Sequence, residues 1–259
     1  MPGHFLTSEQ VIFFQENGYL TVNNLVPPGE IEQYKTLYED FLSGRINTGA
    51  NRSDLGAGLG KSGAKENITQ IMWPSDFAPQ LMSMPFHERA LAISRELIGA
   101  DAEMDFDMLI NKAPHTDTPT PWHQDEAYWL SLPDKRAASC WLALDPATVD
   151  NGCMWFVPAS NQKEVRPHRF AGPKGGALMC DAGEEEGIPV ELSPGSCTFH
   201  TGRTLHYSRG NSTGEQRRAF IINFRPQSMI AYERARGFDH GRQNAADRKL
   251  QNQEFNQLP

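Results

Sequence analysis

The chain has 259 residues, 39% hydrophobic and 22% charged, which is enough for one large domain and lies outside the polar, highly charged range of disordered chains. A net charge of -8 offers no electrostatic footprint for nucleic acid or an anionic membrane surface, and apolar runs such as 141–144 and 219–222 are far below the roughly 20 residues that span a bilayer. The start MPGHFLTSEQ lacks the basic and apolar regions of a secretory signal, so a cytoplasmic location is expected.

The predicted elements begin with a short amphipathic helix over 6–18, with Thr7 or Ser8 as N-cap and Gly18 as stop. Residues 19–22 alternate like a strand, and 28–42 place Ile31, Tyr34, Leu37, Tyr38 and Leu42 on one helical face. Residues 43–65 are rich in Gly, Asn and Ser and read as a surface loop, a candidate lid. Within it, Gly58-Leu-Gly60-Lys-Ser-Gly63 imitates a phosphate-binding turn, but Leu55 stands where a P-loop needs glycine and no buried strand precedes it. A third helix is expected around 88–97.

Beyond Asp101 the character changes. Short apolar stretches at 106–110, 138–144, 154–157, 195–199 and 218–224 are separated by Pro, Gly, Asn and Asp, a pattern of antiparallel strands. The fold class is therefore mainly β with flanking helices, a sandwich or jelly roll. One domain is expected: a helical segment about 1–100, a jelly-roll core about 101–226 and a C-terminal tail 227–259. Cys140, Cys153, Cys180 and Cys197 form no CxxC pair and read as buried thiols.

Two His-x-Asp pairs could supply an imidazole and a carboxylate to one divalent ion, since residues i and i+2 of a strand share a face. His115 and Asp117 lie among three prolines, which remove ladder donors, so that segment reads as a loop. His123 and Asp125 lie in the aromatic-rich Trp122–Trp129 segment and are the better pair. The stretch 197–208 offers a third ligand, His200 or His206, and His206 sits on the better strand with Ser208 two residues on. A turn-like 209–214 then suggests a hairpin returning Arg217 or Arg218 towards the metal, where a guanidinium could grip a carboxylate bidentately.

Taken together, His123-x-Asp125, His206-x-Ser208 and Arg217 resemble the phytanoyl-CoA dioxygenase family of Fe(II)- and 2-oxoglutarate-dependent oxygenases. The likeness extends through 108–114, 140–145, 151–158 and 195–217, and through the Asn17-Gly18-Tyr19 helix end. It implies a double-stranded β-helix of the cupin-like, jelly-roll form. It implies His123, Asp125 and His206 as the iron ligands that act in catalysis, and Arg217 with Ser208 on the distal carboxylate of 2-oxoglutarate. Met108 and Trp141 match positions lining the cosubstrate pocket, and Gln70 stands where a lysine can help hold the cosubstrate. The implied reaction consumes O2, releases succinate and CO2, and hydroxylates an unactivated C–H of a small molecule; Asp125 argues against halogenation. Tyr128, Trp129, Arg203 and Arg225 are candidate substrate contacts, and an arginine-lined pocket would favour an anion. A silent jelly-roll protein binding a small acid, and a zinc hydrolase with the same ligands, are the alternatives.

Overall fold

A capping box opens the first helix. In the computed structural model, which describes residues 4–56, 66–172 and 177–243, the Thr7 hydroxyl accepts from the Gln10 amide and the Gln10 side chain accepts from the Thr7 amide at the start of α1 (Ser8–Asn17). Gly18 closes the helix in the left-handed conformation, φ 81°, and the chain turns directly into β1 (Tyr19–Val22). Next comes α2 (Pro28–Leu42), with proline in its first turn and Ile31, Tyr34, Tyr38 and Phe41 buried. Then follow β2 (Arg52–Asp54), β3 (Ile68–Met72), the single turn α3 (Pro74–Phe77) and α4 (Pro85–Ile98).

The remainder is mostly strand: β4 (Ala102–Lys112), β5 (Thr120–His123), β6 (Ala138–Ala143), β7 (Met154–Phe156), β8 (Arg169–Phe170) and β9 (Leu178–Met179). After these come β10 (Ile188–Val190), β11 (Cys197–His200), β12 (His206–Ser208) and β13 (Arg217–Pro226), and then α5 (Gln227–Arg234). A seven-stranded sheet runs β1-β11-β6-β13-β4-β3-β2, a four-stranded sheet β10-β7-β12-β5, and β8 pairs with β9. Every named pairing is antiparallel.

The strand period of two sorts β13 into two faces. Phe220, Ile222 and Phe224 pack with Tyr34, Phe86 and Ile93 of the helices, while Ala219 and Ile221 join Trp122, Trp141 and Phe156 in a second core drawn from both sheets. Burial on both sides explains why β13 reads as a continuous apolar run. Lys112 ends β4 inside this sandwich, fully buried, and donates to the carbonyls of Thr118, Ser208 and Arg209 at 3.2, 3.2 and 2.5 Å.

Three features depart from the sequence expectation. The N-terminal segment is more than packed helices, since it supplies β1 to one edge of the large sheet and β2 and β3 to the other. Part of the presumed loop 43–65 is thus strand, while 57–65, including the Gly58–Gly63 turn, lies outside the described residues. The segment after 226 forms α5 and packs on the core as far as 243 rather than trailing away. Nor do β12 and β13 make the expected hairpin. They belong to different sheets, because β12 is held by β5 and β7 and β13 by β4 and β6. Among the described residues no helix is long and apolar enough to cross a membrane.

Candidate metal centre and its cavity

His123 is the last residue of β5 and His206 the first of β12, and the two pair directly across the ladder with ring centroids 4.1 Å apart. Asp125 was expected on the same strand face as His123. It lies instead past the strand end, opening the 3-10 turn Asp125–Tyr128. That turn brings its Oδ1 to 3.6 Å from Nε2 of both His123 and His206. The Nδ1 atoms of these rings lie 2.7 Å from the Pro121 carbonyl and 2.9 Å from the Thr204 carbonyl, which sets Nδ1 as the protonated nitrogen and leaves each Nε2 lone pair towards Asp125. Burial pushes both imidazoles below their ordinary value. Burial would raise the Asp125 carboxyl, but His206, His200 and His123 hold it well below the usual carboxylate range. Two neutral imidazoles and one ionised carboxylate, with ligand atoms within 4.8 Å of one another, are a donor set for a divalent transition ion with open positions.

The other carboxylate oxygen is also occupied. Asp125 Oδ2 lies 3.3 Å from His200 Nε2 and accepts from the Ser139 hydroxyl at 3.1 Å, and that hydroxyl accepts from Asn223 Nδ2 at 2.7 Å. Ser139 and Asn223 escaped the sequence reading; their signal is a polar residue within an otherwise apolar strand. The turn between His200 and His206 is tied to the first helix, because the Gly18 carbonyl accepts from Thr201 N at 2.9 Å and Thr204 Oγ1 at 2.6 Å. A side chain at Gly18 would meet Thr204 and Asn161 within 3 Å. The Asn17-Gly18-Tyr19 motif therefore sets the placement of the two histidines.

A cavity of about 890 Å³ opens beside this cluster. One end is lined by Gln70, Met108, Trp141, Ser208 and Arg217. Arg217 is buried, with its guanidinium 5.0 Å from the Trp141 ring and, among the described residues, no hydrogen-bond partner for Nε or Nη1. Burial lowers its pKa to about 10, so it is still a cation at neutral pH. A buried guanidinium without a counter-ion is costly unless an anion meets it, and a carboxylate is an anion that its geometry could accept. Gln70 Nε2 lies 3.6 Å from the Met108 sulfur. Arg218, the other arginine considered, points to the opposite face and pairs with Asp145 and Glu39.

Tyr128 and Trp129 line the other part of the cavity, and the Tyr128 hydroxyl accepts from the Leu178 amide at 2.6 Å. The arginines expected beside them do not line it. Arg203 is paired with Glu126 at 2.9 Å, and Arg225 is buried against Glu233 at 2.8 Å with Trp129 stacked 3.7 Å over it. The expectation of an anion-binding substrate pocket built from these two is thereby corrected, because each cation is already neutralised by a carboxylate. His115 and Asp117 sit in the loop between β4 and β5, both at positive φ. A second grouping of ligand-type side chains, Asp105, Glu233 and His240, already contains Arg225 and Arg234, so protein cations meet its charge. All four cysteines are buried and free.

The jelly roll, the two-histidine, one-carboxylate cluster and the buried arginine define the class of non-haem iron, 2-oxoglutarate-dependent oxygenases, whose members use Fe(II), 2-oxoglutarate and O2. The chain belongs to the phytanoyl-CoA dioxygenase family, whose model matches residues 14–219. A probable phytanoyl-CoA dioxygenase of Caenorhabditis elegans is 27% identical over 250 residues, 91% of this chain and 80% of that protein. The peroxisomal phytanoyl-CoA dioxygenase of Homo sapiens is 26% identical over 235 residues, covering 86% and 70%. Among solved structures, EvdO2 from Micromonospora carbonacea var. aurantiaca, complexed with 2-oxoglutarate, is 25% identical with a TM-score of 0.69, covering 85% of this chain and 90% of that one. EctD from S. alaskensis, at 17% identity and the same TM-score, shares the fold.

Proposed function

We propose that this protein is an Fe(II)- and 2-oxoglutarate-dependent dioxygenase that hydroxylates a C–H bond of a small molecule, with His123, Asp125 and His206 holding the iron. The observation that carries this reading is the coincidence of two sites in one cavity: the three-ligand cluster, and a buried arginine without an anionic partner beyond it. The donor set suits iron in kind, number and protonation, and the unpartnered Nε and Nη1 of Arg217 suit the distal carboxylate of 2-oxoglutarate. Iron with 2-oxoglutarate and O2 would supply oxidative decarboxylation to succinate and CO2, coupled to oxidation of the substrate.

The chain's own contribution is placement. The Pro121 and Thr204 carbonyls fix the tautomers of His123 and His206, so that Nε2 of each stays a ligand atom. Ser139 and His200 hold Asp125 Oδ2 and leave Oδ1 facing the two imidazoles. Arg217, Ser208, Met108, Trp141 and Gln70 form the cosubstrate end, and the aromatic walls keep water from the reacting carbon. Tyr128 and Trp129 face the substrate.

The test needs no substrate. Protein reconstituted with Fe(II) without oxygen should develop a visible charge-transfer band when 2-oxoglutarate is added, and the band should be lost in Asp125→Ala and His206→Ala and weakened in Arg217→Ala. Iron binding without any band in the wild type would refute the cosubstrate assignment.

A further inference from the structure

Resting on that reading, the cavity has a cosubstrate end at Arg217 and a second end whose wall comes from outside the jelly roll. On β4, Arg217 stands opposite Lys112 while Asn223 stands opposite Phe106. At about 3.3 Å per residue the two ends are therefore roughly 20 Å apart along the sheet. At the Phe106 end the lining includes Met72, Tyr128, Trp129, Phe238 and His240. Phe238 and His240 follow α5 and lie beyond residue 219, where the family match ends. The features that define the family thus do not account for this part of the wall.

Considerable structure holds these two side chains in place. The ladder between β4 and β13 skips Asp105, a bulge that turns this side chain out of register and into contact with Arg225, Arg234 and His240. Glu233 of α5 pairs with Arg225 at 2.8 Å, and the Trp73 indole N–H donates to the Asp239 carbonyl at 3.1 Å. His240 itself sits at φ 56°, a left-handed conformation that a residue with a Cβ rarely adopts without support. The twist brings its ring 4.1 Å from Phe106 and 4.6 Å from Phe238. Phe238 is anchored among Leu130, Leu132, Met229 and Tyr232.

We propose that Phe238 and His240, delivered by the 227–243 segment, form with Phe106 the specificity-determining wall of the substrate end, and that this wall selects a neutral substrate with an apolar, ring-bearing body. Flat aromatic rings give large contact area with little rotamer entropy to lose, and the adaptable thioether of Met72 fills the space between them, which suits a rigid apolar ligand. The carboxylates of Asp105 and Glu233 are already engaged by guanidinium groups and His240, so the ion network braces the wall, and Phe106, Phe238 and His240 line the cavity there.

The probe is N-phenyl-1-naphthylamine, a neutral two-ring dye that fluoresces in apolar surroundings, titrated into full-length protein both metal-free and loaded anaerobically with Fe(II) and 2-oxoglutarate. Wild type should bind one dye in both states. Phe238→Ala should weaken the dye about tenfold, or ~1.4 kcal/mol, and Phe238→Leu, which retains apolar volume, by less than threefold, while the 2-oxoglutarate band is unchanged in both. Phe13→Ser, at an exposed phenylalanine of α1, should leave binding unaltered. The proposal is overturned if wild type binds no dye, if Phe238→Ala binds it within twofold of wild type, or if binding follows Phe13→Ser. Should Phe238→Ala fail to fold, Phe238→Trp decides by the same measurement: a ring that overfills the wall must shift the affinity at least threefold, and no shift overturns the proposal. A missing band in wild type together with Phe238-dependent dye binding removes the cosubstrate reading and leaves the wall standing.

Discussion

The guanidinium of Arg217 lies 5.0 Å from the Trp141 ring on the neighbouring strand, and its Nε and Nη1 have no hydrogen-bond partner. A planar guanidinium can meet a carboxylate end-on through Nη1 and Nη2 in two hydrogen bonds, and a lysine cannot reproduce it. Arg217→Lys and Arg217→Ala are predicted to weaken 2-oxoglutarate roughly 10- to 100-fold, the equivalent of losing a charged hydrogen bond of about 1.5–3 kcal/mol. Iron affinity should stay within about threefold of wild type, since Arg217 is outside the proposed ligand set. Titration of the chelate band with 2-oxoglutarate measures the first and anaerobic calorimetric titration with Fe(II) the second, and equal 2-oxoglutarate affinity in Arg217→Lys would contradict the bidentate contact.

Ser139 holds Asp125 Oδ2 at 3.1 Å and is itself held by Asn223. Removing the hydroxyl leaves His200, at 3.3 Å, to hold that oxygen, and partners of this kind affect metal affinity by about 10–100-fold. Ser139→Ala is therefore expected to weaken Fe(II) binding about tenfold, and to lower the thermal midpoint of the metal-free protein because the buried Asn223 amide loses its acceptor. Calorimetric titration with Fe(II) without oxygen would show it, and undiminished affinity would mean that Asp125 needs no such brace.

Arg225 was expected to meet a substrate but is buried with Glu233 and Asp105. Its removal takes from buried Glu233 its partner at 2.8 Å and leaves Asp105 with Arg234 and His240, and breaking a buried pair from one side costs about 3–5 kcal/mol. Arg225→Met should lower the urea midpoint accordingly while leaving 2-oxoglutarate affinity intact. A variant as stable as wild type would contradict this account.

The same network predicts a pH dependence. Burial lowers the pKa of His240, but Asp105 and Glu233 more than offset that and raise it above its ordinary value. Asp105 in turn is held low by His240, Arg225 and Arg234 despite burial. A histidine whose folded pKa is raised binds its proton more tightly when folded. Its stabilising contribution is complete below the unfolded value of about 6.5 and is lost as the pH climbs through the folded value. Burial acts the other way at His123 and His206, so the prediction concerns a difference: the stability of wild type minus that of His240→Gln, both metal-free, should shrink from pH 6 to pH 8. Urea melts at the two values decide it, and a gap that widens would reverse the sign assigned to His240.

What could be read from the residues, and what could not, divides by sequence distance. The Thr7 cap, the Gly18 stop and the apolar faces of α2 and β13 follow local rules, and the structure repeats them. The prolines around His115 and Asp117 placed that pair in a loop, where both residues are found at positive φ. The partners of β12 are different: nothing local says that it joins β5 and β7 rather than returning on β13. Arg203 and Arg225 were free cations to the eye because Glu126 lies 77 residues from Arg203 and the Arg225 contact with Asp105 depends on a bulge. His123 and Asp125 do come together with His206, but through a 3-10 turn after the strand end, which periodicity does not reveal.

The pairing of Tyr19 with His200 has a bearing on how the protein is made. The first strand of the chain zips onto one of the last, and Gly18 grips the turn that carries His206. Contacts of such long sequence separation close late and slow the search for the native state. During synthesis the N-terminal helices must wait, with β1 lacking its neighbour, until β11 has emerged from the ribosome. The imidazole pair therefore cannot be assembled before residue 206 has been made, and a chain ending before residue 200 would contain His123 and Asp125 without a centre for them to complete.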